Sequence, residues 1–396
     1  MDIYERFRAG DAIQCIDMHT TGEPTRIILS GFPKVAGTLL EQREQYRAHH
    51  DRYRQAVMLE PRGHEGMYGA LLVRDSELIA TGAADIAVLY LHNEGYSTMC
   101  GHAALALGRF LVDTHDLAVF PRRDALPFDR DTLTTTVNLH TPCGINRLSV
   151  PTTPDGRSAD PARLVSFLSV PSFAGALDLS VPIPAAARWP ELAGRDAVTV
   201  DLSYGGAWYC MVDATELGFS TGLQPLQIAA FDRITRIVKA AIVDNPAVRA
   251  QIHVPHGMDL DFYLYGVMVV DAAHAAPVAD VAGAETGLCF FADQQIDRSP
   301  TGGCVAARMA LAAAKIRRPL RQRWAFHSLV SNPYGGAFVG SNVDEVDIPG
   351  GHGLSARGVV VQVEGQGYYT GAATFVTEPA DPLTTGFSLK ELESAS

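Results

Sequence analysis

Two short, similar segments contain the residues best suited to chemistry. The first, 96–110, reads YSTMCGHAALALGRF; the second, 297–311, reads DRSPTGGCVAARMAL. When they are aligned, Cys100 falls on Thr301. A thiolate can act as a base or a nucleophile, whereas an alcohol ionises far above neutral pH and can only hydrogen-bond or hold a water. The pair therefore predicts one half-site that moves a proton and one that positions a group.

Both segments are typical of a turn that leads into a helix. Ser, Thr, Asp and Pro precede the key position, and a run rich in Ala, Leu and Met follows it, which is the signature of a helix start. The first N–H groups of a helix lack internal partners and lie at the positive end of its dipole, so they can hold a carboxylate. The aligned residues Gly101 and Gly302 would let a ligand approach the backbone closely. Two such starts facing each other would grip one small anion.

Cys100 is the strongest candidate for a reactive group. A free cysteine is usually buried and inert, but a thiol at a helix start has a lowered pKa and is more often thiolate. That setting favours a reactive role for Cys100. Cys304 lies one helical turn beyond Thr301 and is expected to face the core and be structural. Its participation as a second acid stays open.

Two polar residues accompany the key positions. His102 follows Cys100 at i+2, and helix neighbours at that spacing do not share a face, so a Cys–His nucleophile–base pair is not expected. His102 is expected either to offer its N–H and imidazole at the helix start or to be an ordinary surface histidine. Asp297, four residues before Thr301, is either a capping or turn-stabilising residue or a carboxylate that binds a cationic amine.

Composition limits the class of protein. The chain has 396 residues, 47% hydrophobic and 19% charged, which indicates a globular protein long enough for two domains. A net charge of −12 argues against nucleic acid or an acidic membrane as a partner. Six cysteines are scattered without a Cys-x-x-Cys pair, which indicates a reducing compartment and no zinc framework: 15, 100, 143, 210, 289 and 304.

Signatures of targeting and of cofactor binding are missing from the sequence. Residues 1–10 have no apolar signal-peptide core, and no apolar run is long enough to span a bilayer. We therefore expect a cytoplasmic protein that does not bind a membrane. The sequence has no Walker loop, His-Glu-x-x-His or Gly-x-Ser-x-Gly motif. No metal and no cofactor are expected.

Hydrophobic periodicity and turn residues predict many short strands and few helices. Helices are predicted at 37–55, at 226–242 and after Cys100 and Thr301. A linker is predicted at 151–161, where Pro and Gly cluster. Strands are predicted at 13–19, 25–29, on both sides of a turn within 58–73, and at 85–91, 134–140, 147–150, 163–170, 198–202, 208–212, 262–270, 288–291, 358–363 and 368–377.

These elements predict an α/β fold made by duplication. Each half has many short strands and one strongly apolar helix, and such a helix must be buried on all sides, which a curled sheet wrapped around it would achieve. The key positions lie 201 residues apart, too far for a solenoid repeat. The expected domains are 11–155 plus about 356–396, with the Cys100 helix, and 156–355, with the Thr301 helix.

Several motifs together resemble those of the proline racemase family, and the resemblance extends from about Ile13 to Phe387. It implies the fold of diaminopimelate epimerase: two pseudo-symmetric α/β domains, each a curled, mostly antiparallel sheet around a central apolar helix, with the site between them. The motifs are MCGH at 99–102, DRSPTG at 297–302, MHTTGEP at 18–24, EPRGH at 60–64, MYGA at 67–70, LHNEGY at 91–96 and YTG at 369–371.

The resemblance also implies roles for the candidate residues. In the racemases, two cysteines face each other across the substrate Cα; here Thr301 takes the second place, and this Cys/Thr pattern resembles the trans-3-hydroxy-L-proline dehydratase branch. Cys100 would then be the proton acceptor, Asp297 would bind the ring amine, and Phe291 would line the pocket. The carboxylate would be held by the N–H groups of four residues, Gly101, His102, Gly302 and Gly303.

Two positions depart from the usual pattern of the family. Thr21 stands where Gly is usual, and Gly303-Cys304 stands where a Ser-Gly or Thr-Gly pair is more usual. The donor at residue 303 is a backbone N–H, so we expect this second departure to matter little.

The activity that the resemblance implies is a cofactor-independent hydro-lyase reaction on a small imino acid, trans-3-hydroxy-L-proline, giving Δ1-pyrroline-2-carboxylate. One alternative is a proline racemase or hydroxyproline 2-epimerase, which would need Cys304 or a water as second acid. Another is an inactive homologue that only binds imino acids. A homodimer is expected because it is common in the family.

Overall fold

The computed structural model describes residues 2, 3, 5, 12–258 and 263–389. Residues 11 and 390–396 of the expected first domain, residue 262 of a predicted strand and most of the segment 1–10 lie outside the described residues. Within them the chain has a mixed α/β fold with nineteen strands. No helix in the described part of the chain is both long and apolar enough to cross a membrane.

The chain divides into two compact units, of which the first comprises Met1–Phe167 and Gln366–Ser396. Its helices are α1 (Leu39–His49), α2 (Asp51–Met58), α3 (Glu77–Ala80) and α4 (Gly101–Asp113). Its strands are β1 (Ile13–Thr20), β2 (Glu23–Ser30), β3 (Gly69–Val73), β4 (Ile86–Leu91), β5 (Tyr96–Ser97), β6 (Phe128–Asp129), β7 (Thr134–Thr141), β8 (Gly144–Pro151), β9 (Val165–Leu168, ending at the boundary) and β19 (Gly367–Phe375).

The sheet of the first unit surrounds α4. Its main strands are ordered β19–β1–β2–β3–β4–β7–β8, and the β2–β3 and β4–β7 pairs are parallel whereas the others are antiparallel. Helix α4 contacts β1, β2, β7, β8 and β19. All of its residues except Arg109 and Asp113 are buried, as expected for a helix that is apolar on every face. The sheet thereby holds the start of α4 in a fixed place.

The second unit comprises Leu168–Gly365. Its helices are α5 (Ile228–Val243), α6 (Pro246–Arg249), α7 (Gly302–Ile316) and α8 (Ser331–Tyr334). Its strands are β10 (Phe173–Pro182), β11 (Ala197–Tyr204), β12 (Trp208–Asp213), β13 (Leu264–Asp271), β14 (Ala284–Phe291), β15 (Gln295–Ile296), β16 (Trp324–His327), β17 (Phe338–Asp347) and β18 (Arg357–Gly365).

The second unit repeats the plan of the first. Its main strands are ordered β10–β11–β12–β13–β14–β16–β17–β18, with β12–β13 and β14–β16 parallel. Helix α7 contacts β10, β11, β12, β17 and β18, and α5 contacts β10 and β13. Strand residues Trp208, Cys210 and Val212 share a hydrophobic core with α5, so the side chains between them on β12 face the opposite way, towards α7.

Several local predictions were wrong, and strands β16 and β17 were not predicted at all. Three of the differences have identifiable reasons. The helix predicted at 37–55 is two helices, because His50 between α1 and α2 leaves helical geometry at φ −133° and ψ 14°. The strand predicted at the start of 58–73 is absent, because Met58 is the last residue of α2. Strand β10 was missed, because Gly175 and Asp178, at φ 49°, interrupt its alternation.

The segment 151–161 is folded rather than extended. Thr152 is buried and forms an isolated bridge with Ala159, and the division between the two units falls after Phe167. The last two strands belong to different units: β18 pairs with β17 in the second unit, and β19 pairs with β1 in the first.

Candidate active site

Cys100 lies at the start of α4, directly after a buried β4–β5 hairpin. It is the N-cap residue, with extended geometry at φ −147° and ψ 112°. Its Sγ accepts a hydrogen bond from the N–H of Ala103 at 3.4 Å, and the side chain is buried. The N–H groups of the first turn therefore act on the sulfur, which favours the thiolate form.

His102 contacts the thiol, which corrects the expectation from its spacing. Cys100 Sγ lies 3.1 Å from Nδ1 of His102 and 3.6 Å from Nε2. The rule that i and i+2 residues do not meet holds inside a helix, but Cys100 is an extended cap residue, so its side chain turns over the first helical turn. His102 is also buried, at 3% exposure, and is not a surface histidine.

A buried tyrosine that was not singled out as a site residue packs against this histidine. The Tyr68 ring meets the His102 ring edge-on with centroids 4.8 Å apart, and its hydroxyl lies 2.8 Å from Ser97 Oγ. Ser97 in turn donates to the carbonyl of Met99 at 3.1 Å. The only sequence signal for Tyr68 was its place in the MYGA motif.

Another buried tyrosine lies near the thiol. The Tyr90 hydroxyl has no hydrogen-bond partner among the described residues. Burial raises the pKa of Tyr90 well above its usual value, and the neighbouring thiols of Cys100 and Cys143 raise it further. The hydroxyl therefore stays protonated and is available to donate.

The five other cysteines are in settings that keep them protonated. Burial raises the pKa of Cys143 to about 11 and those of Cys15 and Cys304 to about 12. Burial also raises the pKa values of Cys210 and Cys289. Cys304 is fully buried, as expected for a structural residue.

Thr301 caps α7 in a different backbone conformation from its counterpart. It has left-handed geometry at φ 63° and ψ 82°, which is unusual for a β-branched residue and costs about 1–3 kcal/mol. Its Oγ1 is buried and has no hydrogen-bond partner among the described residues. Burial raises the pKa of the Cys289 thiol, and the nearby Thr301 hydroxyl opposes that rise, but a thiol is only a weak hydrogen-bond partner and the pair has no hydrogen bond of ordinary geometry. The two halves of the repeat therefore present their side chains differently.

Asp297 stabilises the turn that leads to Thr301. Its N–H donates to the carbonyl of Cys289 at 3.1 Å, and its Oδ1 accepts from the N–H of Ser299 at 2.7 Å. Ser299 Oγ accepts from the N–H of Thr301 at 3.1 Å. Asp297 is buried; its Oδ1 serves the turn, and the second carboxylate oxygen can serve a ligand.

The remaining predicted residues lie beside these two helix starts. Gly101 and Gly302 are the first residues of α4 and α7. Gly303 is buried, and a Cβ there would lie 2.9 Å from the Tyr209 hydroxyl oxygen. The buried Phe291 ends β14 and contacts the ring of Tyr265 at 5.5 Å.

The structure thus brings the predicted residues together within each unit. Cys100, Gly101 and His102 form one buried helix start, and the residues named for the second half-site gather at the other. Among the described residues no group of three or more His, Cys, Asp and Glu side chains is arranged to hold a metal ion. The chemistry that each cluster offers is anion binding by N–H groups, with a thiol in the first and a hydroxyl and a carboxylate in the second.

Thr21, which stands where the family usually has Gly, also has left-handed backbone geometry. Its φ is 52° and the φ of the next residue, Gly22, is 83°. This turn joins β1 to β2. Glycine adopts such a conformation without strain, so Thr21 occupies a position that favours the residue it replaces.

Comparison with known proteins gives a consistent result over the whole chain. The sequence model of the proline racemase family matches residues 15–388. The chain is 42% identical over 380 residues to a trans-L-3-hydroxyproline dehydratase of Pongo abelii and to a trans-3-hydroxy-L-proline dehydratase of Homo sapiens; each alignment covers 96% of this chain and 95% of the relative.

Two crystal structures share the fold. A hydroxyproline epimerase from Agrobacterium vitis, with bound trans-4-hydroxy-L-proline, has a TM-score of 0.75 at 22% identity and is covered over 96% of both chains. A probable proline racemase from Agrobacterium radiobacter K84, with bound carbonate, has a TM-score of 0.74 at 23% identity, over 96% of this chain and 97% of the other.

Proposed function

The chain belongs to the proline racemase family, and from that premise we propose that it is a hydro-lyase that dehydrates trans-3-hydroxy-L-proline to Δ1-pyrroline-2-carboxylate. The observation that carries the proposal is the pairing of Cys100 with Thr301 at two matching helix starts, in a chain 40–42% identical over nearly its whole length to relatives named as dehydratases of this substrate.

We also propose the details of the fold. The two units are pseudo-symmetric domains of the diaminopimelate epimerase type. Support comes from the matching plan of the units, each with an apolar helix surrounded by its own strands. A homodimer is expected by the resemblance to the family.

The stereochemistry of the substrate suits a single base. Carboxylate and hydroxyl lie on opposite faces of the ring, so the Cα hydrogen shares a face with the hydroxyl. The Cys100 thiolate removes that proton, the C–H electron pair forms the Cα–Cβ double bond, and the C–O bond breaks. The new Cys100 thiol returns its proton to the departing hydroxide as water. The resulting enamine tautomerises to the imine, and no oxidant or cofactor is required.

His102 holds the thiolate ready for this step. Its Nδ1 lies 3.1 Å from Sγ, and with a proton on that nitrogen it donates to the sulfur. A hydrogen bond or a positive charge next to a thiolate favours the ionised form. His102 thus serves Cys100 through its side chain and the carboxylate through its N–H.

The remaining groups bind and orient the substrate. The N–H groups of Gly101, His102, Gly302 and Gly303 hold the carboxylate, into which charge spreads as the proton leaves, and fixed donors there stabilise the transition state. Asp297 binds the ring amine with the carboxylate oxygen that the turn leaves available. Phe291 lines the pocket.

Thr301 determines which reaction follows. Racemisation needs a second acid to protonate Cα from the opposite face. An alcohol is a poor acid, and Cys304 is fully buried, so the carbanion loses hydroxide instead. The Thr301 hydroxyl can instead hydrogen-bond a substrate group or a water.

The experiment compares Cys100→Ser with Cys143→Ser as a matched control. Turnover of trans-3-hydroxy-L-proline to pyrroline-2-carboxylate should fall by about 10³-fold or more in Cys100→Ser, because a hydroxyl does not supply the base. Cys143→Ser should keep nearly all the activity. Near-normal turnover by Cys100→Ser would overturn the mechanism.

A further inference from the structure

Three neighbouring strands of the second unit carry a cluster of aromatic side chains near the α7 start. Tyr209 of β12 is paired with Gly266 of β13, and Gly266 is paired with Phe291 of β14. Paired residues in adjacent strands point to the same face of the sheet. Two aromatic side chains therefore stand on either side of a glycine, and the Cys289 thiol lies 3.4 Å from the position that a Cβ on this glycine would take.

The aromatic cluster is buried. The ring of Tyr265 lies 5.9 Å from that of Tyr209 and 5.5 Å from that of Phe291. Tyr209 and Phe291 are each 2% exposed. Such packing fixes the rings in place, and with them the position of the Tyr209 hydroxyl.

The Tyr209 hydroxyl lies against the first turn of α7. A Cβ on Gly303 would be 2.9 Å from that oxygen and 3.6 Å from ring atom Cε2. Gly303 is the second residue of the helix, so its N–H has no partner within the helix. A hydroxyl and a helix N–H thus converge on one region.

An independent feature marks the same helix start as a ligand site. Thr301, directly before α7, is 5% exposed, and its Oγ1 has no hydrogen-bond partner among the described residues. A buried polar group without a partner costs free energy, and its cost is removed if a bound ligand supplies the partner.

We propose that Tyr209 is a further substrate-binding residue, whose hydroxyl donates a hydrogen bond to the substrate carboxylate beside the N–H of Gly303. This inference rests on the proposed function, because it takes an imino acid carboxylate as the anion at α7.

The contribution of this hydroxyl should be larger in the transition state than in the ground state. Negative charge spreads into the carboxylate as the Cα proton leaves, so a donor there gains strength during the reaction. Its loss should lower kcat more than it raises KM.

The first test compares Tyr209→Phe with Tyr46→Phe. Tyr209→Phe removes one oxygen and keeps the ring, and kcat/KM should fall by about 10- to 100-fold, mainly in kcat. Tyr46 is also a buried tyrosine, but its hydroxyl donates to the carbonyl of Pro33 in the first unit, so Tyr46→Phe should keep normal kinetics. Wild-type kinetics in Tyr209→Phe would overturn the proposal.

A second test uses the close approach at Gly303. Gly303→Ala places a methyl group 2.9 Å from the Tyr209 oxygen, and it should lose activity by displacing that side chain. In Gly303→Ala/Tyr209→Phe the second change removes the clashing oxygen, so the combined loss should be smaller than the product of the single losses. Multiplicative losses would show that the oxygen and residue 303 are independent, against the proposal.

Binding of L-proline separates failure of this inference from failure of the proposed function. Calorimetry with L-proline and with pyrrolidine, which lacks the carboxylate, requires no turnover. Tyr209→Phe should weaken L-proline binding by about threefold and leave pyrrolidine binding unchanged. If wild-type protein binds L-proline but does not dehydrate trans-3-hydroxy-L-proline, the proposed function is rejected. The comparison of L-proline affinities still tests whether Tyr209 binds the carboxylate. Equal L-proline affinity in both proteins would reject the role of Tyr209.

Discussion

Cys100 and His102 are only two positions apart, yet their side chains meet because the cysteine is a cap residue and the histidine belongs to the helix. The contact explains how one thiol among six could be ionised while burial keeps the others protonated. Tyr68 packs edge-on against the histidine ring. At the scale of single residues, the base that we propose is a thiol contacted by a histidine, which a tyrosine holds in turn.

The pair can be tested through the ionisation of the thiol. His102→Gln should raise the pKa of Cys100 by about one unit, because the donor to the thiolate is weakened. Alkylation of Cys100 by iodoacetamide, followed by mass spectrometry across pH, measures that pKa. The matched change His115→Gln removes an exposed histidine and should leave the profile unchanged. An unshifted profile in His102→Gln would contradict the role of the histidine.

The hydroxyl at the second position can be replaced by an acid. Thr301→Cys should allow the enzyme to protonate Cα from the second side, so L-proline should exchange its Cα hydrogen for deuterium and lose optical purity. Chiral chromatography and NMR in D2O measure both. The double variant Thr301→Cys/Cys304→Ser excludes the buried Cys304 thiol as the source of the proton that reaches Cα. Absence of inversion in both variants would show that more than the second thiol is missing.

At the scale of elements, the two helix starts are similar in sequence and different in geometry. The alignment of Cys100 with Thr301 predicted two caps of the same kind, but one is extended and the other left-handed. Backbone conformation at a cap depends on the preceding turn, and here the Asp297–Ser299–Thr301 bonds determine it. The sequence pattern does not encode such local hydrogen bonds. It therefore indicated the candidate residues but not the backbone conformation of the two caps.

Apolar patterning predicted most strands and both buried helices, because burial repeats with the period of each element. It missed β10, where Asp178 takes a left-handed conformation, and also β16 and β17. It also missed the Cys100–His102 contact, where helix spacing rules do not apply. Tyr209 was part of a predicted strand, but its closeness to Gly303 comes from strand and helix packing that no local pattern encodes.

The start of α7 packs closely on the turn after β11, which gives a prediction at this scale. A Cβ on Gly205 would collide with the carbonyl oxygen of Gly303 and lie 2.6 Å from the N–H nitrogen of Ala307. Both are backbone atoms, so Gly205→Ala should move the helix start and lower the free energy of unfolding by about 1–3 kcal/mol. Urea denaturation measures the change. Gly371→Ala, with open space around the new methyl, is the control; equal stability of both variants would contradict the packing.

At the scale of the whole molecule, buried and half-buried histidines link stability to pH. Burial lowers the pKa values of His19, His140 and His327 below their usual value. In the unfolded chain the pKa of a histidine is about 6.5, and in the folded chain the pKa of these three is lower. Above about pH 6.5 the histidines are neutral in both states. As the pH falls towards the folded pKa, the unfolded chain binds more protons and the folded state loses stability. The melting temperature should therefore decrease as the pH is lowered from about 7 to about 5.

One substitution tests whether histidine titration causes this dependence of the melting temperature on pH. His140 is buried, and its Nδ1 lies 2.9 Å from Ser76 Oγ; His140→Gln removes the titration while keeping a polar side chain. Differential scanning calorimetry should find a flatter dependence on pH in the variant than in the wild type. The exposed His115→Gln change should leave the slope as it is. A wild-type melting temperature that is constant over this range would contradict the assignment.

The central claim is that the Cys100 and Thr301 half-sites carry out elimination rather than inversion, and one NMR experiment tests it most directly. Wild-type protein is incubated in D2O with trans-3-hydroxy-L-proline, and in parallel with L-proline, and the products are followed over time. We predict that the hydroxylated substrate is converted to Δ1-pyrroline-2-carboxylate while L-proline keeps its configuration. Accumulation of the Cα epimer of either compound without loss of water would contradict the claim.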